Sequence, residues 1–223
     1  MANYVNITLD TTGPASTTMT IDGGNQYCTN NLVTVALASP ATDEYQAKIW
    51  GDVDPTHNAN IQATEVASSW ITYQEAIQAK LSAGDGAKNL YGKIRDDVYN
   101  ESSQVGDTIT LDTTIPAVSI AGPDVNKISK VTGKNTAALS FQVDQNFTEY
   151  KVKVVGSTGA AHDTGTVIPT TGGSTNTSAT GTWTTASVIN VTIKGADLET
   201  ASSGDGTKIV KVFVKDEAGN WSV

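Results

Sequence analysis

Three observations predict an all-β chain of two tandem antiparallel β-sandwiches. The hexapeptide ITLDTT occurs twice, at residues 7–12 and 109–114. Further matches follow in the same order: EYQAKIWG from Glu44 with EYKVKVVG from Glu149, and GDGAKNLYGKIRDD from Gly84 with GDGTKIVKVFVKDE from Gly204. Within these stretches apolar and polar residues alternate with period two, the pattern of half-buried antiparallel strands, and Gly, Asp and Asn break them into turns. Self-similarity of this kind marks a repeated structural unit. A unit of about 100 residues is the size of an immunoglobulin-like sandwich. The predicted fold is therefore two immunoglobulin-like antiparallel β-sandwiches joined by a short linker. Domain 1 takes residues 1–113, with 1–12 as a leading strand and linker, and domain 2 takes residues 114–223. The spacing of the matches grows along the chain, so domain 2 carries an insertion, mostly between its middle and its end.

The strands of domain 1 are expected at 18–21, 32–38, 44–50, somewhere within 61–67, then 76–81, 88–95 and 107–111. In LVTVALA, Val33, Val35 and Leu37 alternate with Thr34 and Ala36. In the next strand Tyr45, Ala47 and Ile49 alternate with Gln46 and Lys48. TYQEAIQAKL contains good helix formers, but its counterpart ASVINVTI is β-branched, which favours strand at 76–81. In DTITLDTTIP, Ile109 and Leu111 close the first sandwich and residues 112–114 form a polar joint. Pro116 fixes its own φ and holds Ile115 extended. Val118 and Ile120 open domain 2. Tyr150, Val152 and Val154 then alternate with Lys151 and Lys153, and Val210, Val212 and Val214 share one face. About seven strands per domain give a Greek-key sandwich. Residues 156–182 are rich in Gly, Thr and Ser and almost uncharged. They read as a flexible surface excursion, with a contact loop at one end of the sandwich as the functional alternative.

Charge narrows the function. The net charge is −9 and Arg95 is the only arginine. A nucleic-acid binder needs a basic face to displace counterions from phosphates, so nucleic acid is not an expected partner, nor is an anionic membrane. No run of about 18 apolar residues predicts membrane insertion. The N-terminus lacks the basic and apolar regions of a secretion signal, so synthesis in the cytoplasm without a signal peptide is expected. Cys28 stands alone and reads as a small buried apolar residue.

No catalytic role is expected. His57 and His162 lie in non-equivalent loops, and no nucleophile motif, zinc spacing or phosphate loop is present. Asp96 and Asp97 sit at a strand end, where turn residues are ordinary. No cofactor is expected, with calcium as the one chemical question. DVDPTHNAN gathers Asp52, Asp54, Asn58 and Asn60 in one loop, and hard cations need several such oxygens. Asp96, Asp97 and Asp112 form a second candidate set. The EF-hand pattern is not met. Trp70 and Trp183 precede corresponding strands and are expected to pack. Trp50 and Trp221 are candidate contact residues, since exposed aromatics bind sugars and proteins.

The stretch GDGAKNLYGKIRDDVYNESSQVGDTITLDTTIP resembles the junction of tandem bacterial and phage immunoglobulin-like modules. These read as a Gly-Asp-Gly turn, a strand ending in Arg-Asp, an Ala-Gly-Asn turn with Ser, and an ITLDTT.P boundary. KDEAGNWS in domain 2 fits the turn closely, whereas DDVYNES in domain 1 lacks its glycine. The resemblance covers nearly the whole chain and specifies fold better than function. It implies a spacer, adhesive tip or capsid decoration. The expected function is a non-enzymatic structural or adhesion protein of a tailed-phage virion: a capsid decoration, head fibre or tail-associated module. Its partners would be other virion proteins, copies of itself, or cell-surface glycans. The alternatives are a fragment of a bacterial surface adhesin or surface-layer protein, located at the cell surface, and a carbohydrate-binding module.

Domain 2 is expected to lack its last strand, because no counterpart of residues 107–111 follows Trp221. The first ITLDTT, conversely, closes no preceding domain. Tyr4, Val5, Ile7 and Leu9 are therefore expected to pack back on their own domain or to pair with another chain. An unpaired sheet edge invites an added strand, and donation between copies would give head-to-tail assembly. A chain cut short is the alternative.

Overall fold

A computed structural model describes residues 5–15, 17–40 and 44–223. The chain divides into two units, residues 1–113 and 114–223. Both are almost wholly β, as the alternating pattern predicts.

Unit 1 contains β1 (Thr18–Ile21), β2 (Tyr27–Cys28), β3 (Leu32–Ala38), β4 (Glu44–Gly51), β5 (Ile71–Thr72), β6 (Ala76–Lys80), β7 (Gly86–Asp96) and β8 (Val105–Leu111). One sheet has the order β1-β3-β6 and the other β2-β8-β7-β4-β5. Pairing is antiparallel except for β2 with β8. Period-two side chains make the core. Val33, Val35 and Leu37 of one sheet are buried with Ala47, Ile49, Leu90, Ile94, Ile109 and Leu111 of the other. Cys28 is part of this core, and burial, helped by the nearby Asp22 carboxylate, pushes its thiol pKa up.

Residues 76–80 are strand, paired to β3 in the register Val35 to Ile77, so burial against a sheet outweighs their helix propensity. The strand expected within 61–67 does not form. Ile61 is buried, but Val66 is fully exposed and Ser68 N–H donates to Thr64 O at 3.1 Å, which curls the segment into turns. One alternating apolar pair is too little to hold a strand there. The short β2 and β5 lie outside the expected set.

Unit 2 contains β9 (Val118–Ala121), β10 (Thr136–Val143), β11 (Phe147–Val155), β12 (Thr166–Val167), β13 (Ser178–Trp183), β14 (Ile189–Lys194), α1 (Gly195–Ala201) and β15 (Ile209–Asp216). One sheet runs β14-β10-β9. In the other, β12 and β13 share one edge of β11 and β15 takes the opposite edge. Phe141, Phe147, Tyr150, Val152, Val191, Val212 and Val214 form the core. Trp183 packs on it, stacked on Phe147 at 5.1 Å and edge-on to Tyr150 at 5.3 Å.

The insertion at 156–182 is not a loose excursion. It contributes β12, most of β13, and the fully buried Ile168. Its first part is drawn onto the outer face of β11 and β15. Lys211 Nζ donates to Thr158 O at 2.8 Å and Ala160 O at 2.9 Å, and Lys153 Nζ donates to His162 O at 2.8 Å. Both ammonium groups lie over the Phe213 ring. Covering both faces explains why Val212, Phe213 and Val214 are all buried, where alternation alone predicts every second residue.

Candidate interaction surfaces

The same turn closes the equivalent strand in both units. At the end of β7, Asp96 Oδ1 accepts from the N–H groups of Val98 (3.0 Å) and Asn100 (2.8 Å), and Oδ2 accepts from Asn100 Nδ2 at 2.9 Å. At the end of β15, Asp216 Oδ1 accepts from Gly219 N–H (2.7 Å) and Asn220 N–H (2.8 Å), and Oδ2 from Asn220 Nδ2 at 3.0 Å. A serine then ties the returning chain to the strand: Ser102 Oγ accepts from Ile94 N–H and Ser222 Oγ from Val214 N–H, each at 3.0 Å. The shared pattern is Asp-x-x-x-Asn-x-Ser. Where unit 2 has Gly219 at φ 104°, unit 1 places Tyr99 at φ 66°, a left-handed conformation that a side chain adopts only at a cost. Tyr99 is held there by Arg95, whose guanidinium lies 4.4 Å from its ring, and by Tyr45 at 6.1 Å.

These bonds account for Asp96 among the acidic residues singled out in the sequence. Asp96 is fully buried and serves the turn, while Asp97 is exposed. Asp112 is partly buried beyond β8 and donates its N–H to Cys28 O at 3.0 Å. In the 52–60 loop, Asp52 Oδ2 accepts from Asn89 N–H at 2.8 Å. Asp54 accepts from Thr56 and from Lys80 Nζ at 2.8 Å, and the Lys80 hydrogen bond foremost holds its carboxyl well below the usual carboxylate range. Asn58 Oδ1 accepts from Asn60 N–H at 3.0 Å. The oxygens face protein donors rather than one another, and among the described residues no three His, Cys, Asp or Glu converge on a common point. A chelator is therefore expected to leave the unfolding midpoints of both units unchanged, read by differential scanning calorimetry with and without EDTA.

Trp50 is not an available contact residue. It is 6% exposed and stacks on Tyr91 at 6.1 Å, because its strand buries two consecutive residues, Ile49 and Trp50. Trp221 is half-buried in a polar stack. His162 lies parallel to it at 4.7 Å, and Lys151 Nζ (4.7 Å) and Lys215 Nζ (5.4 Å) sit over its ring. Glu149 bridges the two lysines at 2.7 and 2.5 Å, and those hydrogen bonds, Lys151 first, hold its carboxyl below the ordinary value. Trp70 is covered in a similar way by Arg95 at 4.4 Å and Lys48 at 5.6 Å. Both tryptophans pack as cation–aromatic stacks at the rim.

Two hollows in unit 1 have volumes of about 440 and 350 Å³. The first, beside β5 and β6, includes His57 and Asn58; the second is lined by turn residues such as Asn30, Gly84 and Asp85. In the second, Thr113 Oγ1 donates to Asp85 Oδ1 at 2.8 Å.

Two surfaces without a strand partner among the described residues fall on segments singled out by the repeat. Val5, Ile7 and Leu9 are 83, 87 and 85% exposed, and no strand pairs with them among the described residues. Tyr4 lies outside the described residues. The segment is anchored behind them, where Asn100 Nδ2 donates to Asp10 O at 3.3 Å and Pro14 is buried. The second surface is the outer edge of β15. In unit 1 the equivalent edge of β7 carries β8; in unit 2 no strand occupies it among the described residues.

No protein-family profile matches the chain, and no curated protein matches it in sequence. Solved structures of similar build exist. The fibronectin(III)-like modules of Clostridium thermocellum CbhA are 14% identical, with 92% of this chain and 89% of that chain covered and a TM-score of 0.48. The D00-D0 domain of intimin is 15% identical, with 88% and 91% covered and a TM-score of 0.34. Chitinase ChiA74 from Bacillus thuringiensis is 12% identical, with 92% and 30% covered and a TM-score of 0.29. Likeness at this level carries no inference of function.

Proposed function

We propose that this chain is a non-enzymatic architectural or adhesion protein of a tailed-phage virion, built from tandem β-sandwiches that decorate a capsid, form a head fibre or sit on the tail. The observation that carries the proposal is the repeated joint. The same Asp-x-x-x-Asn-x-Ser turn ends the equivalent strand in both units, and the same ITLDTT.P sequence precedes the first strand of each, at residues 7–14 and 109–116. Side chains with catalytic potential are spent on this construction: carboxylates staple turns, and lysines hold the 156–165 segment in place. The resemblance of the joint to tandem phage and bacterial modules favours a spacer or decoration. Net acidity suits a particle surface that must stay dispersed. The partners would be other virion proteins and further copies, with cell-surface glycans as the ligand class for an adhesive tip.

The test is location. Antibody raised against the chain is expected to label purified phage particles in electron micrographs, and its peptides are expected in the particles' mass spectrum. Recovery only from a bacterial surface fraction would overturn the proposal in favour of a surface adhesin.

A further inference from the structure

The outer face of the β4–β7 pair in unit 1 and that of the β11–β15 pair in unit 2 carry the same arrangement, open in the first and closed in the second. The shared turn sets Asp96 with Asp216, and therefore Arg95 with Lys215. Opposite them stand Gln46 and Glu149, and two residues further along the same face stand Lys48 and Lys151. This match by register runs two residues off the sequence match of Glu44 with Glu149. In each unit the two cations lie over one tryptophan, Trp70 or Trp221. Unit 2 closes the arrangement, because Glu149 bridges both lysines and His162 of the insertion stacks on Trp221. Unit 1 leaves it open. Gln46 stands in place of the acid and brings no charge; its Oε1 accepts from Arg95 Nε at 2.8 Å and from Arg95 Nη2. Neither Arg95 nor Lys48 forms an ion pair among the described residues. Lys93, opposite Lys48, holds Glu65 and Glu101 at 2.7 and 3.1 Å.

Two further departures from the repeat set aromatic rings beside these cations. The strand bulges at Tyr45 in unit 1 and at Thr148 in unit 2. Thr148 Oγ1 is turned to the chain, donating to Asp216 O at 2.9 Å, whereas Tyr45 is 47% exposed. Tyr99 takes the left-handed place of Gly219 and is 58% exposed. The two rings lie 6.1 Å apart and are inclined at 59°, and the Arg95 guanidinium is 4.4 Å from the rings of both Tyr99 and Trp70. Strained backbone of this kind clusters at functional sites. We propose that this face binds an anionic glycan, a sugar chain bearing carboxylate groups, with its sugar rings against Tyr45 and Tyr99 and its carboxylates on Arg95 and Lys48. A sugar ring offers an apolar C–H face and a hydroxyl rim, which a tyrosine matches with an apolar ring and a polar tip. Hydrogen bonds between a guanidinium and a carboxylate are among the stronger ones. Neither hollow of unit 1 includes these residues, so the ligand lies along the sheet as a chain rather than in a pocket. Two cations on a chain of net charge −9 are too few for a nucleic acid. The proposal rests on the adhesive reading of the chain and gives it a ligand class and a site.

The test uses the whole 223-residue chain on immobilised oligogalacturonate, hyaluronate and sialylated oligosaccharides, each beside its methyl-esterified or desialylated counterpart. At least one acidic chain is expected to bind about tenfold more tightly than its uncharged counterpart. Gln46→Glu installs the acid of unit 2, and Tyr99→Gly restores the glycine of the unit 2 turn. Each is expected to weaken that binding by about tenfold or more without lowering the unfolding midpoint. Because Tyr99→Gly removes a strained residue, a loss of binding with an unchanged or raised midpoint reports the ring and not the fold. No binding to any acidic chain, equal binding to charged and uncharged chains, or binding that survives both variants would each overturn the proposal. The purified chain is measured apart from any particle, so failure here leaves the virion location to its own test.

Discussion

Asp96→Ala is expected to destabilise unit 1 by about 3–5 kcal/mol while leaving unit 2 intact. Asp96 is fully buried, and its two oxygens satisfy Val98 N–H, Asn100 N–H and Asn100 Nδ2. Alanine leaves three donors without their charged acceptor, and hydrogen bonds to charged groups contribute about 1.5–3 kcal/mol each. The turn also fixes where the chain re-enters as β8. Losing it loosens Ser102 from Ile94 and then the β7–β8 ladder. The left-handed Tyr99 adds to the effect, because a residue at positive φ persists only where its surroundings hold it. Hydrogen exchange read by mass spectrometry is the right measurement, since it reports the units separately. Protection should fall across residues 86–111 and stay unchanged across β11 and β15. Asp97→Ala, at an exposed neighbour, should move stability by no more than about 0.5 kcal/mol. Equal loss in both variants would mean that the carboxylate does not staple the turn.

The fold was legible in the sequence because a strand with one buried face writes period two into the chain, and because the repeat supplies a second reading of each element. The segment 76–80 shows the value of that second reading: its own composition favours helix, and its β-branched counterpart favours strand. What the sequence hid was decided by distant contacts. Residues 156–182 look unstructured because Gly, Thr and Ser carry no periodic signal. Their first part is held by Lys153 and Lys211 reaching across to loop carbonyls, and the rest by pairing with β11. The burial of Trp50 beside Ile49 breaks alternation at the end of β4, where the chain turns and both faces are covered. The acidic loop invited a cation reading because sequence counts carboxylates but not the donors already facing them. The Asp-x-x-x-Asn-x-Ser turn was present as DDVYNES and KDEAGNWS. Its role lies in the carboxylates of Asp96 and Asp216, each of which takes the N–H and side-chain amide of the Asn four residues on and one further turn N–H.

Asp197→Asn tests a buried carboxylate that no motif announces. GADLETA carries no signature, yet it forms α1, and Asp197 within it is 1% exposed. Its carboxylate accepts from Gly172 N–H at 2.6 Å and Ser174 N–H at 2.8 Å, and lies 3.4 Å from Thr171 Oγ1. It pins the insertion to the end of β14, where Ser174 Oγ in turn accepts from Lys194 N–H at 2.8 Å. Burial opposes ionisation, but the hydrogen bonds from Ser174 and Gly172 outweigh it and hold the carboxyl below its ordinary value of 3.8. A carboxyl held low in the folded state stabilises fully above its unfolded value and loses that contribution as pH falls through the folded value. Unit 2 should therefore lose stability below about pH 4. Asparagine keeps the shape but turns an amide donor toward donors, so the variant should lose about 2–4 kcal/mol at neutral pH. Asp197 would also no longer contribute to the acid slope, so the wild-type and variant curves should converge as pH falls. Urea unfolding of both proteins between pH 3 and pH 7, followed by exchange across residues 170–201, measures this. Curves that stay parallel through the acid range would assign the slope to other carboxylates and reduce Asp197 to a packing residue.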